Sequence, residues 1–190
     1  MVTALDKNTA LVLIDLQKAI VAAKLASPIE GVLKNAAKLV AAFRKEGLPV
    51  VVVNVNPEGA KWLGARKEGN PPQRPPMTEE MLSIAPEIKT EPGDIFITKH
   101  TWSAFYETRL DEELKKRGIT GIVLGGVSTS IGVEGTARSA SERGYNITFA
   151  SDAMTDMVAE AHEKSLKYIF PRMGETDETD KIIEKMSGRV

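Results

Sequence analysis

The chain has 190 residues, of which 27% are charged, and its formal net charge is -1. This length fits one domain with its own hydrophobic core, so we expect a single domain over residues 1–190. No long basic or acidic run is present to attract nucleic acid or anionic lipid, and we expect neither partner. Cysteine is absent, which excludes disulfides, cysteine-ligated zinc and a cysteine nucleophile.

The N-terminal residues lack the features of a secretion signal. They carry no basic region, no sufficient apolar stretch and no small-residue cleavage site. No apolar run in the sequence approaches the thickness of a bilayer. We therefore expect a cytoplasmic protein with no membrane partner.

Short apolar runs alternate with helical patterns along the chain. Strands are predicted at residues 10–14, 49–53, 95–98, 121–125 and 147–150. Helices are predicted at residues 29–46, 108–117, 136–143, 159–170 and 178–186. Strands without polar alternation are buried on both faces, as in a parallel sheet, so the pattern predicts an α/β fold.

The segment 54–91 interrupts this alternation. It contains several prolines and glycines and is too long for an ordinary strand–helix connection. Such a loop often covers a site, and a solvent-exposed excursion with one short helix at 78–85 is the alternative.

Polar residues follow several of the predicted strands. Ligands of open parallel sheets bind beyond the carboxyl ends of the strands, near a switch in strand order. The residues at these ends are Asp15 and Gln17, Asn54 and Asn56, Lys99, and the segment 125–132. We therefore expect the functional site at this edge.

Asp15 and Lys99 are the ionisable candidates at this edge. Asp15 follows four apolar residues, so its carboxylate is expected to be partly desolvated, with a raised pKa. It is a candidate general acid or base, and a capping or turn aspartate is the alternative. Lys99 would be costly to bury without a negative partner, which Asp15 could provide. A surface lysine is the alternative for Lys99.

The segment 125–132 joins the fourth strand to the following helix. It places backbone N–H groups and a helix N-terminus at the sheet edge, where they could hold an oxyanion or a carboxylate. Its glycine spacing does not match a nucleotide phosphate loop. A plain strand–helix turn is the alternative.

Three motifs in this order resemble the isochorismatase-like (cysteine hydrolase) superfamily. They read Leu13-Ile-Asp-Leu-Gln17, Lys99-His-Thr-Trp-Ser-Ala-Phe105 and Gly126-Val-Ser-Thr-Ser-Ile-Gly-Val-Glu-Gly-Thr-Ala-Arg138. The resemblance spans most of the chain. It implies one isochorismatase-like hydrolase domain with a Rossmann-like three-layer α/β/α fold and a mainly parallel sheet of about six strands. It also implies a small-molecule substrate and a homodimer or homotetramer.

The resemblance further implies a catalytic triad of Asp15, Lys99 and Gly132. Most of the superfamily has a cysteine nucleophile at the third position, and glycine cannot play that part. Isochorismatases proper also carry glycine there, and they cleave an enol ether by protonation and attack of water. We therefore predict that Asp15 is the general acid of a hydrolase that converts an enol ether such as isochorismate to pyruvate and a dihydroxy-dihydrobenzoate.

Two other functions remain open at this point. One is a catalytically silent member of the family with a small-molecule-binding or regulatory function. The other is an amidase with a non-cysteine nucleophile. Nicotinamidases, which are members of the same superfamily, carry an Asp-x-His metal site near the second strand. Here that region reads Asn54-Val-Asn-Pro57, so we expect no metal and no cofactor.

The resemblance also implies a set of substrate contacts. Trp102 resembles a stacking wall, with a partly buried structural aromatic as the alternative, and Asn56 stands where a substrate-binding glutamine is found. Phe105 is expected to pack in the core. The candidates are Gln17, Asn56, Trp102, Phe105, Val127, Ser128, Thr129 and Ser130. Arg66 or Arg74 could bind a substrate carboxylate.

Overall fold

The computed structural model describes residues 1–69 and 76–190. Its strands are β1 (Thr9–Ile14), β2 (Val50–Val55), β3 (Ile95–Lys99), β4 (Gly121–Val127), β5 (Asn146–Thr155) and β6 (Glu175–Asp177). They form one sheet in the order β3-β2-β1-β4-β5-β6, and each of the five pairings is parallel. The predicted Rossmann-like α/β fold with a parallel sheet of about six strands is confirmed.

Helices cover the sheet and lead into its loops. The α-helices are α1 (Lys18–Val21), α2 (Ile29–Lys45), α3 (Glu79–Leu82), α4 (Leu110–Lys116), α5 (Glu134–Glu142), α6 (Ala159–Lys164) and α7 (Thr179–Lys185). Two π-helical segments, Thr129–Val133 and Ser165–Ile169, precede α5 and follow α6. Short 3-10 turns lie at Lys61–Gly64, Pro86–Ile88, Phe170–Arg172 and Met186–Gly188. None of the helices in the described ranges is long and apolar enough to cross a membrane.

The core has two halves, one on each face of the sheet. Along β1, Val12 and Ile14 pack into one half, and Leu11 and Leu13 pack into the other. Every residue of β1 is buried, which explains why the strand reads as a continuous apolar run without polar alternation. Helices on both faces therefore give the predicted three layers.

The sheet has a switch in strand order between β1 and β4. From β1 the chain continues outward through β2 and β3, then returns to place β4 on the other side of β1. The two strands approach closely at their carboxyl ends, where Ile14 pairs with Gly126. A Cβ at position 126 would lie only 2.1 Å from the Ile14 carbonyl oxygen, so this contact requires glycine. The segments after β1 and β4 thus emerge side by side.

The structure also differs from the predicted elements. Strand β6 has only three residues and no apolar run, so its sequence carries no strand signal. The predicted helix 159–170 consists of α6, a π-helical segment and the start of a 3-10 turn. Strand β5 runs five residues beyond the predicted strand, to Thr155. The added length of β5 becomes important for the site.

Candidate active site

Asp15 is the first residue after β1. Its backbone has a φ of 53°, in the left-handed region that aspartate tolerates better than most residues. The backbone N–H donates to the Val53 carbonyl at 2.9 Å, which continues the pairing between β1 and β2. The residue is only 5% exposed. The end of the strand therefore fixes a carboxylate in a nearly dry position.

Lys99 is the last residue of β3 and forms an ion pair with Asp15. Its Nζ lies 2.7 Å from Asp15 Oδ2 and donates a second hydrogen bond to the Thr101 carbonyl at 2.9 Å. The lysine is 2% exposed. The prediction that Asp15 supplies the partner of a buried Lys99 is confirmed. Breaking such a pair would leave one charge buried without compensation.

Burial controls the acidity of Asp15. Loss of water raises the pKa of the carboxyl group to about 6, although the charge of Lys99 and its hydrogen bond act in the opposite direction. The second oxygen, Oδ1, is buried without a hydrogen-bond partner among the described residues. Asp15 can therefore hold or release a proton near neutral pH, as a general acid or base must.

Gly132 lies in the π-helical segment Thr129–Val133, which follows β4. A Cβ at this position would lie 3.3 Å from Asp15 Oδ2 and 2.9 Å from Ile14 Cγ2. The fold thus brings Asp15, Lys99 and Gly132 together. The space beside Gly132 is small, because the Ile14 methyl group already borders it.

The backbone amides around Gly132 are partly engaged within the fold. The N–H groups of Ile131 and Val133 both donate to the Ser128 carbonyl at 3.1 Å. The N–H of Ser130 donates to Asp156 Oδ2 at 2.7 Å. These three amides already have partners, so they are not free donors for a substrate oxyanion.

A cavity of about 200 Å³ opens beside these residues. Its polar lining comes from Asp15, Lys99, Thr101 and Ser128. Its apolar lining is contributed by Ile20, Val55, Pro57, Trp62, Trp102, Val127, Ile131 and Met157. A small molecule with an apolar body and one reacting polar group fits such a lining.

Three of the predicted substrate contacts line this cavity, namely Trp102, Val127 and Ser128. Trp102 is 59% exposed, so its ring is available at the mouth of the cavity rather than packed in the core. For Trp102 the position therefore favours the predicted stacking wall over a structural aromatic.

Three other candidates are buried and used within the fold. The Gln17 side chain donates to the Val55 carbonyl at 3.1 Å and accepts from the Val55 N–H at 2.7 Å. Phe105 packs in the core against Tyr145, with the ring centroids 5.8 Å apart. The Thr129 hydroxyl donates to the Thr155 carbonyl at 3.0 Å. Their positions assign them to the fold rather than to substrate contact.

Asn56 and Ser130 are not among the residues that line the cavity. Asn56 Oδ1 accepts the Glu58 N–H at 3.1 Å, which is a local turn contact. Ser130 is tied to Asp156 through its backbone, as described above. Arg66 is exposed, and Arg74 lies outside the described residues. Within the described ranges, no group of three or more His, Asp or Glu side chains could hold a metal ion.

Sequence reasoning missed much of the apolar lining. Ile20, Val55, Pro57, Trp62, Ile131 and Met157 come from five separate segments. Apolar residues in loops give no periodic signal, so their convergence depends on tertiary structure. Some of these residues could have been found from their proximity along the chain to predicted site residues, since Val55 and Pro57 flank Asn56 and Ile131 precedes Gly132.

Comparison with known proteins gives a consistent result over nearly the whole chain. The isochorismatase domain family matches residues 9–181. A relative from Bacillus subtilis, the uncharacterized isochorismatase family protein YwoC, is 42% identical over 186 residues, covering 95% of each chain. The solved structure of an isochorismatase family protein from Burkholderia thailandensis is 35% identical, with a TM-score of 0.90 over 98% of this chain and 100% of that chain.

More distant relatives carry names that state an activity. Nicotinamidase 3 from Arabidopsis thaliana is 30% identical over 164 residues, covering 85% of this chain and 80% of its own. The ureidoacrylate amidohydrolase RutB from Variovorax paradoxus is 29% identical over 160 residues, covering 75% of this chain and 63% of its own. Both names describe hydrolysis of an amide-type bond.

Proposed function

The chain belongs to the isochorismatase family of hydrolases, and we propose that it cleaves an enol ether, such as isochorismate, without a covalent enzyme intermediate. The observation that carries this proposal is the juxtaposition of Asp15 and Gly132. Asp15 is an acid with a pKa of about 6. Gly132 lies beside this acid, since a Cβ at position 132 would be 3.3 Å from Asp15 Oδ2. Glycine has no side chain that could attack a carbonyl.

The chemistry needs one proton donor and one water molecule. Asp15 gives its proton to the terminal carbon of the enol ether double bond, which leaves positive charge shared between the ether oxygen and its carbon. Water adds to that carbon and returns a proton to Asp15. The resulting hemiketal transfers its hydroxyl proton to the ether oxygen as the C–O bond breaks. The products are a ketone, pyruvate in the case of isochorismate, and an alcohol.

Lys99 has a defined part in this proposal. When Asp15 gives up its proton, a negative charge forms in a buried position, and the ammonium group 2.7 Å away stabilises it. The hydrogen bond to Thr101 holds the ammonium group in place. Without Lys99 the carboxyl group would be a weaker acid, because both contributions of Lys99 lower its pKa.

The cavity lining suggests where the substrate body lies. Trp62, Trp102, Ile131 and Met157 offer apolar and aromatic surface around the Asp15 carboxylate. A cyclic substrate would rest against this surface, with its vinyl group turned toward Asp15. Val127 and Ser128 would border the reacting end.

Amide hydrolysis is the second candidate. It is favoured by the names of the two distant relatives and by Ser128, a residue with a hydroxyl group that lines the same cavity. In that reaction Asp15 would act as a base, removing a proton from the serine. The two candidates therefore assign opposite roles to one carboxyl group.

A substrate comparison separates these candidates. Purified protein is incubated with isochorismate, with nicotinamide and with a simple ester, and release of pyruvate, ammonia or acid is measured. We expect pyruvate release alone, and we expect Asp15→Asn, which keeps the shape but cannot donate a carboxyl proton, to reduce it about 100-fold or more. Ammonia release that disappears in Ser128→Ala would instead establish the amidase. Lack of turnover on all three would favour a binding protein.

A further inference from the structure

A second buried carboxylate, that of Asp156, lies at the same edge of the sheet. Asp156 follows the last residue of β5 and is 2% exposed. Its Oδ2 accepts the Ser130 N–H at 2.7 Å, and its Oδ1 accepts the N–H groups of Met157 at 2.8 Å and Val158 at 3.3 Å. Both oxygens thus hold backbone amides.

The contact to Ser130 joins β5 to the segment that carries Gly132. It is reinforced one residue earlier, where the Thr129 hydroxyl donates to the Thr155 carbonyl at 3.0 Å. Because that hydroxyl has a single proton, it must accept its second bond, from Nδ1 of His162 at 2.8 Å. Two consecutive residues after β4 are therefore tied to the last residue of β5 and to the residue that follows it.

The same pair of residues also holds the segment between α1 and α2. The Asp156 carbonyl accepts the Ala26 N–H at 2.7 Å, and the Thr155 hydroxyl lies 2.6 Å from that of Ser27. Ile131 and Met157 line the cavity from two of the segments joined in this way, and Ile20 lines it from α1, which precedes the third. Asp156 and Thr155 thus connect the segment that carries Gly132 with the segment between α1 and α2.

We propose that Asp156 is a positioning residue, whose carboxylate fixes the Thr129–Val133 segment, and with it Gly132, at its distance from Asp15. This inference rests on the proposed function for its kinetic consequence, but not for its structural one. A carboxylate is required because its contacts are all N–H donors. Asparagine would turn an NH2 group toward at least one of them and lose that bond.

The chain provides a matched control in Asp152, four residues earlier in β5. Asp152 also accepts three hydrogen bonds, from the Thr179 N–H at 2.8 Å, the Thr179 hydroxyl at 2.7 Å and Asn35 Nδ2 at 3.0 Å. These contacts tie β5 to α7 and α2, away from the cavity. Asp152→Asn therefore removes a comparable set of bonds without touching the Gly132 segment.

The first measurement is amide hydrogen exchange in the absence of substrate. In Asp156→Asn, the Ser130 amide should exchange at least about tenfold faster than in wild type, because a bond to a charged acceptor is lost. In Asp152→Asn its exchange should be unchanged. Equal exchange at Ser130 in wild type and Asp156→Asn would overturn the proposal, whether or not the protein cleaves an enol ether.

The second measurement is steady-state kinetics with isochorismate, or with whichever of the amide or ester substrates wild type turns over. Asp156→Asn should lower kcat about 10- to 100-fold with KM changed less than about threefold, since displacement of catalytic groups by about 1 Å has effects of this size. Asp152→Asn should keep the wild-type kcat. If the two variants lose kcat equally, Asp156 has only a structural role and the proposal fails.

A second variant covers the case in which Asp156→Asn does not fold. Thr129→Val keeps the shape of the side chain and leaves Asp156 intact, but removes the hydroxyl between Thr155 and His162. It should lower kcat in the same direction, by about tenfold, and speed exchange at Ser130. Unchanged kcat and unchanged exchange in Thr129→Val would count against the proposed fixing of the Thr129–Val133 segment by its bonds to Thr155 and Asp156.

Discussion

The ends of β1 and β5 each bury a carboxylate at the same edge of the sheet, and the two are used differently. Asp15 has one lysine partner, and its Oδ1 lacks a hydrogen-bond partner within the described residues. Asp156 has three backbone donors on its two oxygens. A carboxylate with N–H donors on both oxygens can hold a backbone segment in place. A carboxylate with one oxygen that has no hydrogen-bond partner can use that oxygen to exchange a proton with a substrate.

The strand order explains why both carboxylates act on one segment. Strand β4 lies between β1 and β5, so the Thr129–Val133 segment that follows it emerges between the two strand ends. Asp15 borders this segment at Gly132, and Asp156 holds it at Ser130. In the proposed enzyme, one carboxylate reacts and the other sets the distance at which it reacts.

Stability measurements should separate the two carboxylates most strongly. The raised pKa of Asp15 means that the folded protein binds this proton more tightly than the unfolded chain between about pH 4 and pH 6. The contribution of Asp15 to stability therefore falls as pH rises through this window. At pH 7 the charged form of Asp15 carries a net cost in the folded state.

We therefore expect replacement of the whole ion pair to stabilise the protein. At pH 7, the double variant Asp15→Ala/Lys99→Met, which removes both charges and leaves no buried amide, should gain about 1–4 kcal/mol in urea unfolding, although it should be inactive. Asp156→Asn should instead lose about 1–3 kcal/mol, because a buried N–H donor is left unpaired. A change of stability in the same direction for both replacements would contradict the different roles assigned to Asp15 and Asp156.

The single variant Asp15→Ala serves as the internal control of that experiment. It leaves the buried Lys99 without a counter-charge, so it should be less stable than the double variant. A single variant as stable as the double would show that Lys99 loses its charge or reaches water when Asp15 is replaced.

A smaller effect is expected from Gly132→Ala. The new Cβ would lie 2.9 Å from Ile14 Cγ2 and 3.3 Å from Asp15 Oδ2, so the segment must shift or the substrate must yield space. We expect kcat/KM for isochorismate to fall about tenfold. Gly31→Ala in α2, where a Cβ meets no atom within 4 Å, is the matched control and should keep wild-type activity. Unimpaired turnover in Gly132→Ala would show that the reaction does not depend on the space beside Gly132.

The sequence predicted the fold and the central ion pair for identifiable reasons. Buried parallel strands read as continuous apolar runs, and their carboxyl ends meet at one edge. These two facts support the prediction that Asp15 could be the negative partner of a buried Lys99. The three-residue β6 has no such run and was not predicted.

The finer parts of the site could not be predicted from the sequence. Gln17 and Thr129 lie within two and three residues of Asp15 and Gly132, yet their side chains are directed into hydrogen bonds of the fold. Asp156 was missed because its partners are backbone amides, which every residue except proline possesses. Such contacts leave no residue-type signature, and they depend on the extra length of β5.

The pH dependence of isochorismate cleavage by the wild-type protein tests the role of Asp15 as a general acid most directly. A general acid must be protonated in the free enzyme, so kcat/KM should be constant below about pH 6 and fall about tenfold per pH unit above it. The break should disappear in Asp15→Asn. A kcat/KM that rises with pH through about 6 would mean that Asp15 acts as a base, and would contradict acid-assisted cleavage.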